Sequence, residues 1–328
     1  MGTAFLFAGQ GAQYPGMGKD LYDHFPAARA VFESAGERIR NLCFEGSAED
    51  LKNTANTQPC VYTVTMAAYM AFMEEYEKAA GEKAVPAALA GFSLGEYSAL
   101  TAAGVIRSIE DGAELMRRRG EWMNEAGLGS DGKPAGGMIA AMGKRAKIEA
   151  VVEEARGDGI LAAANLNAPL QTVVSGDNAA LDRFAALAGE QKLRTVRLAV
   201  GSAFHTSMMQ PASEKMRRLI LEKELGEARQ PVYTNLTGAP VSEYRRSGSD
   251  GPQTGEDLAD MLARQLMSPV RWDATMAALK AQGIDRFVEF GPGTTLCGLV
   301  RNNIKKAVTY HVEDSASLKE AVEGLAGR

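Results

Sequence analysis

The sequence is short of the residues that mark several function classes. It holds three cysteines in 328 residues, Cys43, Cys60 and Cys297. They are scattered and odd in number, which excludes a disulfide framework and suits a reducing, cytoplasmic setting. The three histidines, His24, His205 and His311, are equally scattered. No Cys/His spacing resembles a zinc site, so no metal is expected. No stretch reaches the roughly 18–20 unbroken apolar residues of a membrane span. The most apolar helical run, Val61 to Met73, ends in Glu74 and Glu75. The N-terminus lacks a basic leader pattern, so no signal peptide is expected. Positive charge is not in excess either. Lys plus Arg is 36 against 41 Asp plus Glu, a net charge of −5, which argues against a dedicated nucleic-acid binder.

What the chain does hold is an alternation of short apolar runs and amphipathic stretches. Residues 4–8 read as a buried strand ending in the Gly-rich turn Gly9 to Gln13. Helical patterns follow over 18–37 and 58–78, the second with Pro59 in its first turn. Residues 85–92 read as a second buried strand, and a helix follows to Gly104. A further helix spans 108–126, capped by Ser108 with Asp111. Gly127 to Gly137 is a linker by composition. Beyond it come strand 138–142, helix 145–157, strands 160–165 and 171–175, helix 177–191 and strand 193–199. That βαββαβ order matches a ferredoxin-like unit. Helix 207–224, strand 231–235, helices 255–266 and 271–282, strand 286–290, a strand near 307–311 and a helix from 315 complete the chain. The polar segment 244–256 reads as a surface loop. The expected class is α/β: a hydrolase-like, mostly parallel sheet covered by helices. Residues 1–128 and 201–328 would form the large domain, with 129–200 as an inserted ferredoxin-like subdomain.

Gly91-Phe92-Ser93-Leu94-Gly95 fits G-x-S-x-G between a strand and a helix. In such an elbow the serine hydroxyl sits at a helix N-terminus, where free N–H groups favour developing negative charge. Leu94 N–H would be one oxyanion donor. A serine hydroxyl needs a base. His24 lies in a helical stretch and His311 in a strand. His205 lies in a loop between a strand and a helix, where this architecture exposes functional groups.

With these residues in view, the sequence resembles the malonyl-CoA:acyl-carrier-protein transacylases and the related acyltransferase domains of polyketide synthases. The resemblance runs through Phe7-Ala-Gly-Gln-Gly-Ala-Gln13, Thr57-Gln58-Pro59, Gly91 to Leu100, Arg119-Gly120 with Met123, Asn165-Leu-Asn167-Ala-Pro169, Ala203-Phe204-His205-Thr-Ser207, Arg264-Gln265-Leu266 and Glu289 to Gly293. It implies a ping-pong reaction in fatty-acid biosynthesis. Ser93 takes malonyl from coenzyme A and passes it to the phosphopantetheine thiol of an acyl carrier protein. His205 would be the base, oriented by the Gln265 carbonyl in a Ser–His dyad. The Gln10 and Leu94 amides would form the oxyanion hole. Gln58 and Asn165 would line or orient the substrate pocket. The resemblance also implies a monomer without metal or redox cofactor, its thioesters being substrates. A polyketide-synthase acyltransferase or a thioester hydrolase using the same site are the competing readings.

Arg119 aligns with the family's R-G motif. A guanidinium presents a planar fork to a carboxylate, which malonyl has and acetyl lacks. Arg117 and Arg118 cannot share that face of the helix. Phe204 would add bulk against an α-methyl group. The family usually has histidine before the nucleophile, and Phe92 stands there instead. Because the carrier is expected to be acidic, its docking surface should be locally basic. Lys192, Arg194 and Arg197 are the first candidates, followed by Arg301, Lys305 and Lys306.

Overall fold

The computed structural model describes residues 2–249 and 251–327. Nine strands form among them: β1 (Gly2–Phe7), β2 (Ala88–Gly91), β3 (Gly136–Met142), β4 (Leu161–Ala168), β5 (Gln171–Asp177), β6 (Arg194–Arg197), β7 (Val232–Tyr233), β8 (Ile284–Phe290) and β9 (Val308–Val312). The first sheet has the order β7-β2-β1-β8-β9, and every pairing in it is parallel. β2 and β7 are buried on both faces, as is the second half of β1, in the manner of helix-covered parallel sheets, while the edge strand β9 is largely part-exposed. Along β1, Phe5 and Phe7 point into one apolar cluster and Ala4 and Leu6 into another. Phe5 meets Phe72 and Phe290 edge-on at 5.6 and 5.1 Å.

The second sheet has the order β4-β5-β3-β6 and is antiparallel. Helices Arg145–Arg156 and Asn178–Glu190 cover it through their own apolar cluster. This is the ferredoxin-like βαββαβ arrangement, built wholly from the segment between the two halves of the large sheet's helices. The chain is therefore α/β, with a parallel five-stranded sheet and a small antiparallel one.

Several boundaries differ from the sequence reading. The pattern over 18–37 is two helices, Lys19–His24 and Pro26–Ala35. Phe25 is extended because the proline ring disfavours helical backbone in the residue before it. Gly36 has φ +87, and beyond it lies a third helix, Glu37–Glu45, which the composition had not marked. The helix expected from 58 begins at Thr54, capped by Asn53. Pro59 thus sits inside it, at the sixth position. β2 begins only at Ala88, since Val85 is 75% exposed. β6 is shorter than 193–199, and β7 keeps two residues of 231–235. The helix expected over 207–224 is a 3₁₀ turn, Ser207–Met209, followed by Gln210–Leu221. All three cysteines are free and buried, and no helix among the described residues is long and apolar enough to cross a membrane.

Candidate active site

β1, β2 and β7 are neighbours in the sheet, and the site forms where their carboxyl ends release the chain. That edge is where open parallel sheets place their crevices. After β2, the Phe92 N–H bonds to the Phe7 carbonyl, and the chain turns sharply into the helix Gly95–Ala103. Ser93, in the turn, has φ +53. Only four non-glycine residues among those described have positive φ, and two of them are Ser93 and His205. For a residue with a Cβ this conformation costs on the order of 1–3 kcal/mol. The flanking glycines have a direct steric cause. A Cβ on Gly91 would lie 1.9 Å from the Gly95 backbone, and one on Gly95 would lie 2.1 Å from the Phe7 carbonyl oxygen.

His205 reaches Ser93 from the loop after β6. Its Nε2 lies 2.9 Å from Ser93 Oγ. Its Nδ1 lies 3.0 Å from the Gln265 carbonyl and 3.1 Å from the Ser268 carbonyl. Carbonyls only accept, so Nδ1 carries the proton and Nε2 offers its lone pair to the serine hydroxyl. Burial, then the nearby Arg119 charge, lowers the His205 pKa from 6.5 to about 4, against the upward pull of the two carbonyls. The imidazole is therefore neutral at neutral pH and able to accept a proton. No carboxylate bonds to His205 among the described residues. Two carbonyls take that place.

Arg119 arrives from the helix Ile109–Ala126 and is almost wholly buried. One terminal nitrogen donates to Gln58 Oε1 at 2.8 Å. The other donates to Gln265 Oε1 and to Ser93 Oγ, each at 3.2 Å. The guanidinium lies 5.5 Å from the centre of the Tyr97 ring, while its Nε has no partner. Among the described residues Arg119 forms no ion pair. Arg117 and Arg118 instead both bind Glu121 at the surface. A buried cation with no carboxylate in direct contact, beside the Ser93 hydroxyl, is suited to receive an anionic ligand group.

These side chains face a cavity of about 540 Å³. Gln10, Phe92, Asn165 and Phe204 are in its wall, together with Leu198 to Val200 beyond β6. The Gln10 loop presses closely on the elbow, since a Cβ on Gly9 would lie 2.6 Å from the Phe92 carbonyl oxygen. The backbone N–H groups of Gln10 and Leu94 have no acceptor among the described residues. Gln58 is buried, its Nε2 against Met123 Sδ at 3.4 Å. Phe92 packs against Trp272 with ring centres 5.4 Å apart. It also borders a second cavity of about 170 Å³, which Asn165 and Asn167 share.

Two further residues belong to this cluster, and no role for either was drawn from the sequence. Glu96 Oε2 accepts from Gln265 Nε2 at 2.8 Å and from the Asn235 N–H at 3.0 Å. Its pKa is raised by burial, against those hydrogen bonds and the Arg119 charge. Asn235 follows β7, with its side chain on the elbow itself. The strand read over 231–235 carried a signal for it, because a polar residue ending a strand at this edge of a parallel sheet lies beside the site.

The basic docking candidates fall in two places. Lys192, Arg194 and Arg197 lie on or beside β6, whose continuation walls the cavity; Arg197 is paired with Asp182 at 2.6 Å. Arg301 bonds to Thr309, and Lys305 and Lys306 are exposed past the helix Thr295–Asn303.

Comparison with known proteins bears on this arrangement. Residues 4–323 match the model of the acyl transferase domain family. The chain is 36% identical to the malonyl CoA-acyl carrier protein transacylase of Bacillus subtilis, over 98% of this chain and 96% of that one. It is 39% identical to the polyketide biosynthesis protein ThaF of Burkholderia thailandensis, over 91% of this chain but 24% of that one. A solved malonyl-transacylase in complex with its type II polyketide acyl-carrier protein superposes with a TM-score of 0.87. It is 32% identical, over 99% of this chain and 100% of its own.

Proposed function

The chain belongs to the acyl transferase domain family, and from that premise we propose that it transfers malonyl from malonyl-CoA to the phosphopantetheine thiol of an acyl carrier protein. The Ser93 hydroxyl gives its proton to His205 Nε2 while Oγ bonds to the thioester carbonyl carbon. The carbon–sulfur bond then breaks, and His205 protonates the departing coenzyme A thiolate. In the second half, the carrier thiol gives its proton to His205 and the sulfur attacks the malonyl-serine ester. Ser93 Oγ leaves and takes the proton back. The amides of Gln10 and Leu94 carry the oxyanion in both halves, a role in which one donor typically contributes about 10²–10³ in rate. The sequence writes proton and acyl transfer alone and asks for no metal or redox cofactor.

The observation that carries the reading is that Arg119 reaches the same oxygen as His205. The guanidinium is 3.2 Å from Ser93 Oγ and has no carboxylate in direct contact, Glu96 reaching it only through Gln265. A malonyl group on Oγ would place its free carboxylate within reach of that fork. Gln58 and Gln265 hold the fork in place, and Phe204 adds bulk to the wall. We assign the activity to fatty-acid biosynthesis in the cytoplasm, by a monomer, with the carrier docking near Lys192, Arg194 and Arg197. The last assignment is supported by the path of β6 into the cavity wall.

Intact-mass measurement of the purified protein with malonyl-CoA, methylmalonyl-CoA or acetyl-CoA tests the reading. A malonyl adduct absent from Ser93→Ala and discharged by holo carrier protein is the expected result. Consumption of malonyl-CoA without a persisting adduct would make the protein a hydrolase instead. Transfer to a polyketide carrier in preference to a fatty-acid one would move the assignment of pathway.

A further inference from the structure

Resting on the reading of Ser93 as nucleophile, we propose that Asn235 is a positioning residue that holds the nucleophile's turn in its reactive shape. Its side chain is wholly buried and spans the elbow. Oδ1 accepts the Ser93 N–H at 2.6 Å, and Nδ2 donates to the Gly91 carbonyl at 2.7 Å. The residue between those two bonds is Phe92, and the residue they hold is the strained Ser93 at φ +53. An amide can accept at one end and donate at the other, which is what a turn with one inward N–H and one inward carbonyl requires.

Asn235 is itself fixed at both backbone ends. Its N–H donates to Glu96 Oε2 at 3.0 Å, and its carbonyl accepts from the Arg271 N–H at 2.9 Å. Glu96 lies in the first turn of the helix that follows Ser93. The chain is thus tied on both sides of the nucleophile to one point beyond β7. This matters for rate because Oγ must stay within hydrogen-bond reach of His205. A displacement of about 1 Å can cost roughly 10²-fold.

Asn235→Asp separates positioning from mere packing, because it keeps the shape and makes the donor depend on pH. As the neutral acid, Asp can donate to the Gly91 carbonyl and accept from Ser93. Once ionised it has no donor and sets an oxygen against that carbonyl. The ionisable groups around the position are Glu96 on the following helix, Arg119 from Ile109–Ala126 and His205 from the loop after β6.

The measurement is the single-turnover rate of Ser93 acylation across pH, read by intact mass on the full chain. The variant should gain an ionisation that the unmodified protein lacks, with its rate falling about 10²-fold as pH rises. Asn235→Ala should slow malonylation and acetylation by the same factor, since it moves the nucleophile and leaves Arg119 alone. Thermal melting reports whether the alanine variant folds, and if it does not, the aspartate profile decides. An Asn235→Asp profile that superposes on the unmodified protein overturns the proposal. So does a folded Asn235→Ala protein that acylates at the unmodified rate. A malonyl adduct surviving in Ser93→Ala would overturn the underlying assignment of the nucleophile instead.

Discussion

Replacing Arg119 by alanine should remove the proposed preference for an acyl group that carries a free carboxylate. The guanidinium has two terminal nitrogens, both already directed at neutral oxygens. A charge-assisted contact to an incoming carboxylate contributes about 1.5–3 kcal/mol. At 1.4 kcal/mol per decade that is roughly 10–150-fold in kcat/KM for malonyl-CoA. Acetyl-CoA offers no carboxylate and should lose little. The substitution also strips a donor from Gln58 Oε1 and Gln265 Oε1, each a penalty of about 1–3 kcal/mol if left unmet. Some protein will therefore be lost to unfolding. The ratio of malonyl to acetyl transfer, measured on one preparation, cancels that loss. The same variant removes a positive charge that lowers the His205 pKa, so its acid limb should move to higher pH. A malonyl-to-acetyl ratio equal to that of the unmodified protein would refute the assignment of Arg119.

Other outcomes follow from the same geometry. Because the His205 pKa is held at about 4, single-turnover acylation should hold its rate as pH falls through 6.5 and drop only near 4, as stopped-flow or quenched mass measurements would show. The unfolded histidine binds its proton below about 6.5, so His205 costs the fold stability as pH falls from there to about 4. Glu289, raised to about 7 by burial, acts in the opposite sense: stability present at low pH is lost as pH rises through 7, which pH-dependent melting of Glu289→Gln would reveal. Gly95→Ala should abolish activity and lower the melting temperature, since its Cβ would strike the Phe7 carbonyl at 2.1 Å. Gly11→Ala meets nothing within 4 Å and is strained only by φ +105, so its melting temperature should fall far less. Phe92→His should retain malonyl transfer and lose an aromatic pair with Trp272, worth about 0.5–1.5 kcal/mol, seen as a melting shift of a few degrees.

The parts of the site most legible in the sequence were those whose chemistry is carried by neighbours in the chain. Gly91 to Gly95 announces a turn because the two glycines relieve clashes that any side chain would cause. Successive helical residues face different ways, so Arg117, Arg118 and Arg119 could not all face inward, and the match of Arg119-Gly120 to the family's R-G motif singled out Arg119. The βαββαβ order was readable because its strands and helices have distinct periods. Asn235 and Glu96 were harder, since they meet only when β7 pairs with β2 and the helix after Ser93 folds back. The helix Glu37–Glu45 was obscured by its polar, amphipathic composition. Pro59 was misplaced because an interior proline is tolerated there, and its carbonyl still accepts from the Thr63 hydroxyl at 2.8 Å. Local chemistry is written along the chain, whereas the second carbonyl on His205, from Ser268, exists only in three dimensions.

The burial of Cys43, Cys60 and Cys297 gives the protein a surface without a free thiol. A thioester is attacked fastest by a thiolate, and each of these thiols is removed from solvent; burial pushes Cys297 up to about 12. An activated acyl group brought to this protein therefore meets no exposed thiol on which to be stranded. The same property makes thiol-specific labelling silent in the native state. Uptake of such a label over time would count openings of the fold, because Cys43 and Cys60 report on the helices Glu37–Glu45 and Thr54–Ala80 and Cys297 on the helix packed against β8.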